Sequence, residues 1–183
     1  MSIREKASLL LNETGLHRAL EQFGAVYITG SYAMDMMTWN DLDVYLLPDP
    51  ARFDMYELIS SVNSALHPFR LDGIVKPDEN RYFYGAEFLF LEERWNVDIW
   101  VKTQEEIRKS EAYCQEIVRQ TAENPTLRKA IIDIKEALIE RGMYGMDKHP
   151  QLHYHSGDIY SAVLTKNITT AEAFLSAGKL PEE

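Results

Sequence analysis

The sequence predicts an α/β (α+β) chain in which strands and helices alternate over residues 1–102 and helices alone fill 103–183. Three observations carry this. Two β-branched and aromatic runs, Ala25–Thr29 and Asp41–Leu47, flank a Gly30-Ser31 turn. Two further apolar runs, Tyr82–Leu91 and Trp95–Val101, are separated by only a few polar residues, as in an antiparallel hairpin. From Thr103 to Arg141 the apolar residues recur with helical spacing.

The elements follow in order. Ser2 and Glu5 have the spacing of a capping box, which starts a helix running to about Asn12. Leu16, Leu20 and Phe23 predict a second helix over 15–23, ended by Gly24. The strand Ala25–Thr29 leads into Gly30-Ser31, and Tyr32–Met37 reads as a short helix. Asp41–Leu47 is the next strand. Pro48-Asp49-Pro50 closes it and opens a helix over 51–66, with Tyr56, Ile59, Val62, Asn63 and Leu66 on one side. Pro68 ends that helix. Phe69–Val75 is a strand, 76–81 a polar turn, and the hairpin follows.

In the helical part, Asn124-Pro125 divides two helices, with Asn124 as N-cap and Pro125 in the first turn. Ile131, Ile134, Lys135 and Leu138 share the helical period, and Gly142 is placed to end the helix. A loop rich in His, Met and Tyr covers 145–157. Two short helices, near 157–166 and 170–177, precede a tail at 180–183. The change of character near 102–104 divides the chain into 1–102 and 103–183, and the helical region is expected to contribute to a substrate cleft.

Composition narrows the function. The chain has 183 residues, enough for one domain with a real core and a helical appendage. No apolar run approaches the ~20 residues that span a bilayer. The charged start, Met1–Lys6, lacks the apolar stretch of a secretory signal, and the single cysteine, Cys114, has no intrachain partner; both point to a reducing cytoplasm. The net charge of −10, from 19 Lys and Arg against 29 Asp and Glu, argues against a nucleic-acid backbone as partner. It leaves room for a nucleotide whose phosphates are neutralised locally by a metal.

The candidate site is built on carboxylates. Residues two apart on a strand point the same way, so Asp41 and Asp43 face together while Leu42 and Val44 face the other side. Two like charges side by side repel unless a cation lies between them. Asp98 sits mid-strand among apolar residues, where a lone carboxylate is costly. If its strand lies beside the Asp41/Asp43 strand, the three form a hard-oxygen set suited to one or two Mg²⁺ ions. Gly30 allows close approach of backbone to phosphate, and the Ser31 hydroxyl and following amides can bond phosphate oxygens.

Gly30-Ser31, a nine-residue gap, Asp41-Leu42-Asp43-Val44 and the later Val97-Asp98-Ile99 resemble the nucleotidyltransferase superfamily related to DNA polymerase β. Gly30-Ser31-Tyr32-Ala33-Met34-Asp35 is similar to the Gly-Gly-Trp-Ala-Val-Asp stretch of the lincosamide and 2''-aminoglycoside nucleotidyltransferases, with Ser31 in place of the second glycine and Tyr32 in place of tryptophan. The resemblance covers about residues 25–101. It implies a mixed sheet flanked by helices. It implies that Asp41, Asp43 and Asp98 hold Mg²⁺ (or Mn²⁺), that Asp98 acts on the acceptor hydroxyl, and that Gly30 and Ser31 contact the triphosphate. The implied reaction transfers NMP from an NTP, as co-substrate, to a hydroxyl of a small, antibiotic-like molecule, releasing pyrophosphate. Transfer to a partner protein, as in toxin–antitoxin pairs, and a non-catalytic nucleotide-binding module are the alternatives. A homodimer suits a chain this small.

Other residues have plainer readings. Asp35 fits a structural role in the short helix. Tyr82, Tyr84, Trp95 and Trp100 read as packing, whereas Trp39, just before the carboxylates, is the best aromatic candidate for a substrate contact. Glu87 either meets an acceptor or faces solvent on an edge strand. His149, His153 and His155 lack zinc-ligand spacing.

Overall fold

A computed structural model describes residues 1–76, 81–145 and 153–177, with Arg81 through its backbone only. The chain divides into two compact units, Met1–Cys114 and Gln115–Glu183.

The first unit opens with α1 (Ile3–Glu13). Its capping box forms as the spacing predicts: Ser2 Oγ accepts from the Glu5 amide at 3.2 Å, and the Ser2 amide donates to Glu5 Oε2 at 2.6 Å. That amide holds the Glu5 carboxyl below its usual pKa. Helix α2 (Leu16–Glu21) follows, then β1 (Gly24–Ile28), α3 (Gly30–Ala33) and β2 (Asp41–Pro48). Helix α3 starts at the glycine and is only four residues long, earlier and shorter than the expected Tyr32–Met37. Asp35, at a φ of 55°, turns the chain out of it.

Helix α4 (Met55–Leu66) starts four residues later than expected. Asp54 supplies the cap, accepting from the amides of Tyr56 at 2.8 Å and Glu57 at 3.0 Å. Asp49 instead closes a turn, accepting from the Ala51 amide and from Arg52 Nε. Its buried face is Met55, Leu58, Val62 and Leu66; Tyr56, expected on that side, is exposed. His67, in the left-handed region, ends the helix before Pro68.

Strands β3 (Arg70–Lys76), β4 (Arg81–Phe90) and β5 (Glu93–Val101) complete a five-stranded sheet of order β1-β2-β5-β4-β3. The β2–β5 pair is parallel and the other three are antiparallel, so the sheet is mixed. The β4–β5 hairpin turns on Leu91 and Glu92 alone, both with positive φ.

The alternation divides the sheet into two faces. Leu42, Val44, Leu46, Val97, Ile99, Ala86 and Phe88 join Leu10, Leu16, Leu20, Leu58 and Val62 of the helices in one buried cluster. Each such side chain contributes on the order of 1.5–3 kcal/mol when fully buried. The other face carries the polar residues of the same strands. Trp95 and Tyr84 are buried in that cluster, Tyr82 meets Phe53 edge-on at 5.5 Å, and Trp100 lies 4.3 Å from Phe83, so the expected packing roles hold.

Helix α5 (Gln104–Glu123) begins where the sequence changes character, and the division between the units falls within it. Thr103 and Glu106 cap its start: Glu106 accepts from the Thr103 amide, which with Lys102 pushes its carboxyl down to about 2.

The second unit contains α6 (Pro125–Glu140), α7 (Ser156–Lys166) and α8 (Ala171–Ala177). Asn124 caps α6 and Pro125 occupies its first turn, as expected, and Gly142 follows it with a φ of 64°. Ile131, Ile134 and Leu138 are buried with Ile159, Val163 and Phe174. Lys135 is fully buried on the same face. It donates to Tyr160 Oη at 2.8 Å, and its ammonium lies 4.9 Å from the Tyr160 ring centre. A buried ammonium needs such partners. Thr170 Oγ1 accepts from the Ala173 amide at the start of α8. The segment 146–152, which includes His149, and the tail 178–183 lie outside the described residues.

Candidate functional site

The site is assembled by strand register. In the parallel β2–β5 pair, Asp43 stands opposite Asp98 and Asp41 opposite Asn96. Paired residues share a face, so all three carboxylates lie on the polar side of two adjacent strands. These three and Asn96 are half-buried, while Leu42, Val44, Val97 and Ile99 between them are fully buried. The core therefore anchors the strands from behind and fixes which way the carboxylates point.

The register is pinned at its open end. Asn40, just before Asp41, donates to Glu93 Oε2 at 3.2 Å and to the Arg94 carbonyl at 3.1 Å. Glu93 also accepts from Lys6 Nζ of α1 at 2.5 Å, which holds the Glu93 carboxyl below its ordinary pKa. The Asn96 amide donates to the Asn40 carbonyl at 2.9 Å.

Gly30 closes the site from the other side. The Thr29 amide donates to the Asp43 carbonyl at 3.0 Å, which brings the turn against β2. A Cβ on Gly30 would lie 2.0 Å from Asp43 Oδ2, and its φ is +61°. Both the contact and the backbone thus require glycine. Ser31 follows in α3, its carbonyl accepting from the Met36 amide at 2.8 Å. Tyr32 ties α3 to α1: its hydroxyl is 3.0 Å from Ser8 Oγ, its carbonyl accepts from Arg4 Nε at 3.1 Å, and the Arg4 guanidinium lies 4.9 Å from its ring centre. On the far side of Asp98, Gly85 of β4 gives room: a Cβ there would stand 3.2 Å from Asp98 Oδ1.

Sequence reasoning missed Asn96. Its side-chain amide donates to Asp41 Oδ1 at 2.8 Å and to Asp98 Oδ1 at 3.0 Å, bridging two of the carboxylates. The signal was present: Asn96 precedes Asp98 by two residues, as Asp41 precedes Asp43, so all four belong to one face of their strands.

The donor set matches a hard divalent cation, since it is all carboxylate oxygen. Among the described residues, no group of three or more Asp, Glu, His or Cys side chains stands gathered in an arrangement that could hold a metal ion. The strands supply alignment, and Oδ1 of Asp41 and Oδ1 of Asp98 both accept from the Asn96 amide.

The remaining candidates resolve plainly. Glu87 is on β4, an interior strand rather than an edge, and accepts from Arg70 at 3.0 Å and Arg94 at 2.8 Å. Asp35 is 3.8 Å from Arg4 Nε, a surface pairing in keeping with a structural role. Trp39 is half-buried beside the start of β2, its carbonyl accepting from the Asp41 amide. His153 and His155 meet edge to face at 4.6 Å, and the His155 amide donates to Asp158 at the start of α7.

No protein-family model matches the chain, nor does any curated protein sequence. Solved structures do. The GLD-2/RNP-8 complex matches with a TM-score of 0.62 at 14% identity, over 99% of this chain and 55% of that one. The polymerase core of TRAMP, an RNA surveillance complex, matches at 0.58 and 13%, over 93% and 52%. The Cid1 poly(U) polymerase matches at 0.54 and 12%, over 76% and 43%. The mixed five-stranded sheet flanked by helices is thus a nucleotidyltransferase fold. The chain spans about half the length of these structures. Among the described residues no helix is long and apolar enough to cross a membrane.

Proposed function

We propose that the protein is a metal-dependent nucleotidyltransferase that transfers NMP from an NTP to a hydroxyl of a small molecule. The observation that carries this reading is the in-register pair Asp43 and Asp98, with Asp41 on the same face and Gly30 against Asp43. Asp41, Asp43 and Asp98 would hold the metal, their side chains converging on it when it binds; Gly30 and Ser31 would meet the triphosphate. Bound Mg²⁺ would orient the phosphates and neutralise the charge that develops on them. Asp98 takes the proton of the acceptor hydroxyl. The acceptor oxygen bonds to the α-phosphorus, the bond from that phosphorus to the β-phosphate's bridging oxygen breaks, and pyrophosphate leaves.

The net charge of −10 supports a small acceptor over a polyanion. The similarity of the Gly30–Asp35 stretch to the lincosamide and 2''-aminoglycoside enzymes makes polyhydroxylated, antibiotic-like molecules the first acceptors to try. An RNA end is the second reading, favoured by fold neighbours that are a poly(U) polymerase and the polymerase core of an RNA surveillance complex.

Two measurements test the reading. Mg²⁺ with a non-hydrolysable NTP should raise the melting temperature, by about 2.7 kcal/mol of stability at a hundredfold excess over Kd. Asp43→Asn should abolish that rise and turnover while leaving the fold intact. Labelled NTPs incubated with hydroxylated small molecules, RNA and proteins, followed by mass spectrometry, identify the acceptor. No melting shift and no adduct would overturn the proposal.

A further inference from the structure

Strand β3 is an edge of the sheet, and among the described residues its outer side has no neighbouring strand. Unpaired edge backbone is a template for another strand, and folded proteins ordinarily blunt or cover it. Here it is neither short nor apolar-free. The strand is seven residues long and mostly exposed. Phe69, whose amide extends the pairing by donating to the Glu87 carbonyl, is 56% exposed, and Leu71 is 50% exposed. Leu71 stands opposite Ala86, on the sheet face of Ala86 and Phe88, which are 1% exposed on the neighbouring strand, and Phe69 lies immediately before β3. The apolar face therefore continues past its helical cover onto β3.

We infer that β3 pairs antiparallel with β3 of a second copy of this chain, centred on Leu71, joining two five-stranded sheets into one. A two-fold axis through the sheet keeps each face continuous, so partners in the pairing must come from the same face of β3. Only registers centred on a residue satisfy this. A centre at Arg70 or Asp72 sets that charge against its own copy, and a centre at Gly73 sets Arg70 against Lys76. Like charges directly opposite destabilise a sheet. A centre at Leu71 sets Arg70 against Asp72 twice, Leu71 against Leu71, and Phe69 over Gly73, where no side chain obstructs the ring. A centre at Ile74 also opposes unlike charges, Asp72 and Lys76, but leaves Phe69 and Leu71 outside the middle of the pairing. The Leu71 register is the one that covers the exposed apolar pair and matches the charges together. Arg70 retains donors for this: its side chain is 70% exposed although Nη1 bonds Glu87.

The pairing is independent of nucleotidyl transfer and is tested without it. Light scattering and sedimentation of the purified protein should give twice 21.1 kDa at micromolar concentration and above. Arg70→Asp and Asp72→Arg should each yield a folded monomer by mass and circular dichroism, because each sets like charges across the two-fold. Mixing the two variants should restore the dimer, now a heterodimer, since both cross-strand pairs become attractive again. A second measurement holds if either variant folds poorly: Leu71→Cys, with Cys114→Ser, should form a disulfide-linked dimer under mild oxidation, because the axis brings the two positions face to face. A wild type that stays at 21.1 kDa overturns the inference. So does a dimer that survives Asp72→Arg, or a mixture of the two variants that stays monomeric.

Discussion

Gly30 and Asp43 touch so closely that position 30 has no room for a side chain: a Cβ there would lie 2.0 Å from Asp43 Oδ2. The turn after β1 and the second carboxylate of β2 are therefore one structural unit. Gly30→Ala should damage both stability and the site. The left-handed backbone costs a non-glycine residue roughly 1–2 kcal/mol, which urea denaturation would read. The displaced Asp43 should lower turnover by about a hundredfold, the scale of a misplacement near 1 Å. If the variant loses stability alone and keeps full NTP-dependent stabilisation, Asp43 is not part of the site.

Asn96 is the residue that keeps two negative groups side by side before any cation arrives. Its amide is shared between Asp41 and Asp98 at 2.8 and 3.0 Å. Asn96→Ala should lower stability in metal-free buffer by about 1–3 kcal/mol, since hydrogen bonds to charged groups are the stronger kind. It should also weaken Mg²⁺ affinity about 10- to 100-fold, the usual penalty for losing a supporting group. Metal titrations followed by melting temperature separate this positioning role from simple strand packing, which would lower stability and leave the metal dependence where it was.

The order of elements and the faces of β2 and β5 were legible because both depend on local patterns: β-branched runs, a capping box at Ser2, Asn124-Pro125. Apolar alternation put Leu42 and Val44 inward, and Asp41 and Asp43 followed. What could not be read was which strands would be neighbours. The β2–β5 pair joins residues more than fifty apart, and only that pairing sets Asp43 against Asp98. The start of α4 was misplaced for a related reason. Pro50 marked the start, but Asp49 closes a turn there and Asp54 caps the helix further on. For Glu87 neither a substrate contact nor an edge position could be chosen from the sequence, because its two arginine partners, Arg70 and Arg94, lie on different strands.

Tyr84 gives a prediction in alkali. Burial pushes its hydroxyl up to about 12, and that hydroxyl donates to Asn63 Oδ1 of α4. The folded state thus favours the neutral phenol more than the unfolded chain does. The contribution is intact below the unfolded value near pH 10 and is lost as pH rises from there towards 12. Tyr84→Phe should be less stable than wild type at neutral pH, by about 1 kcal/mol for the lost hydrogen bond. The gap should narrow above pH 10. Denaturation curves at neutral pH and in strong base would show it; a gap that stays constant would place the Tyr84 hydroxyl in contact with water.

The β4–β5 hairpin offers a stabilising change remote from the carboxylates. Leu91 and Glu92 form its two-residue turn with φ of 53° and 63°, and Leu91 is 47% exposed. Such turns need positive φ at both centres and favour Asn-Gly, whereas a branched leucine and a glutamate resist the left-handed region. Leu91→Asn with Glu92→Gly should therefore raise stability by about 1–2 kcal/mol, or some 2–4 °C in melting temperature per kcal/mol for a chain of this size. The same change removes an exposed leucine. Turnover should stay the same, since neither residue belongs to the site face. Calorimetry on the double variant decides it, and a melting temperature that falls would mean that Leu91 packs in the turn strongly enough to offset its backbone strain.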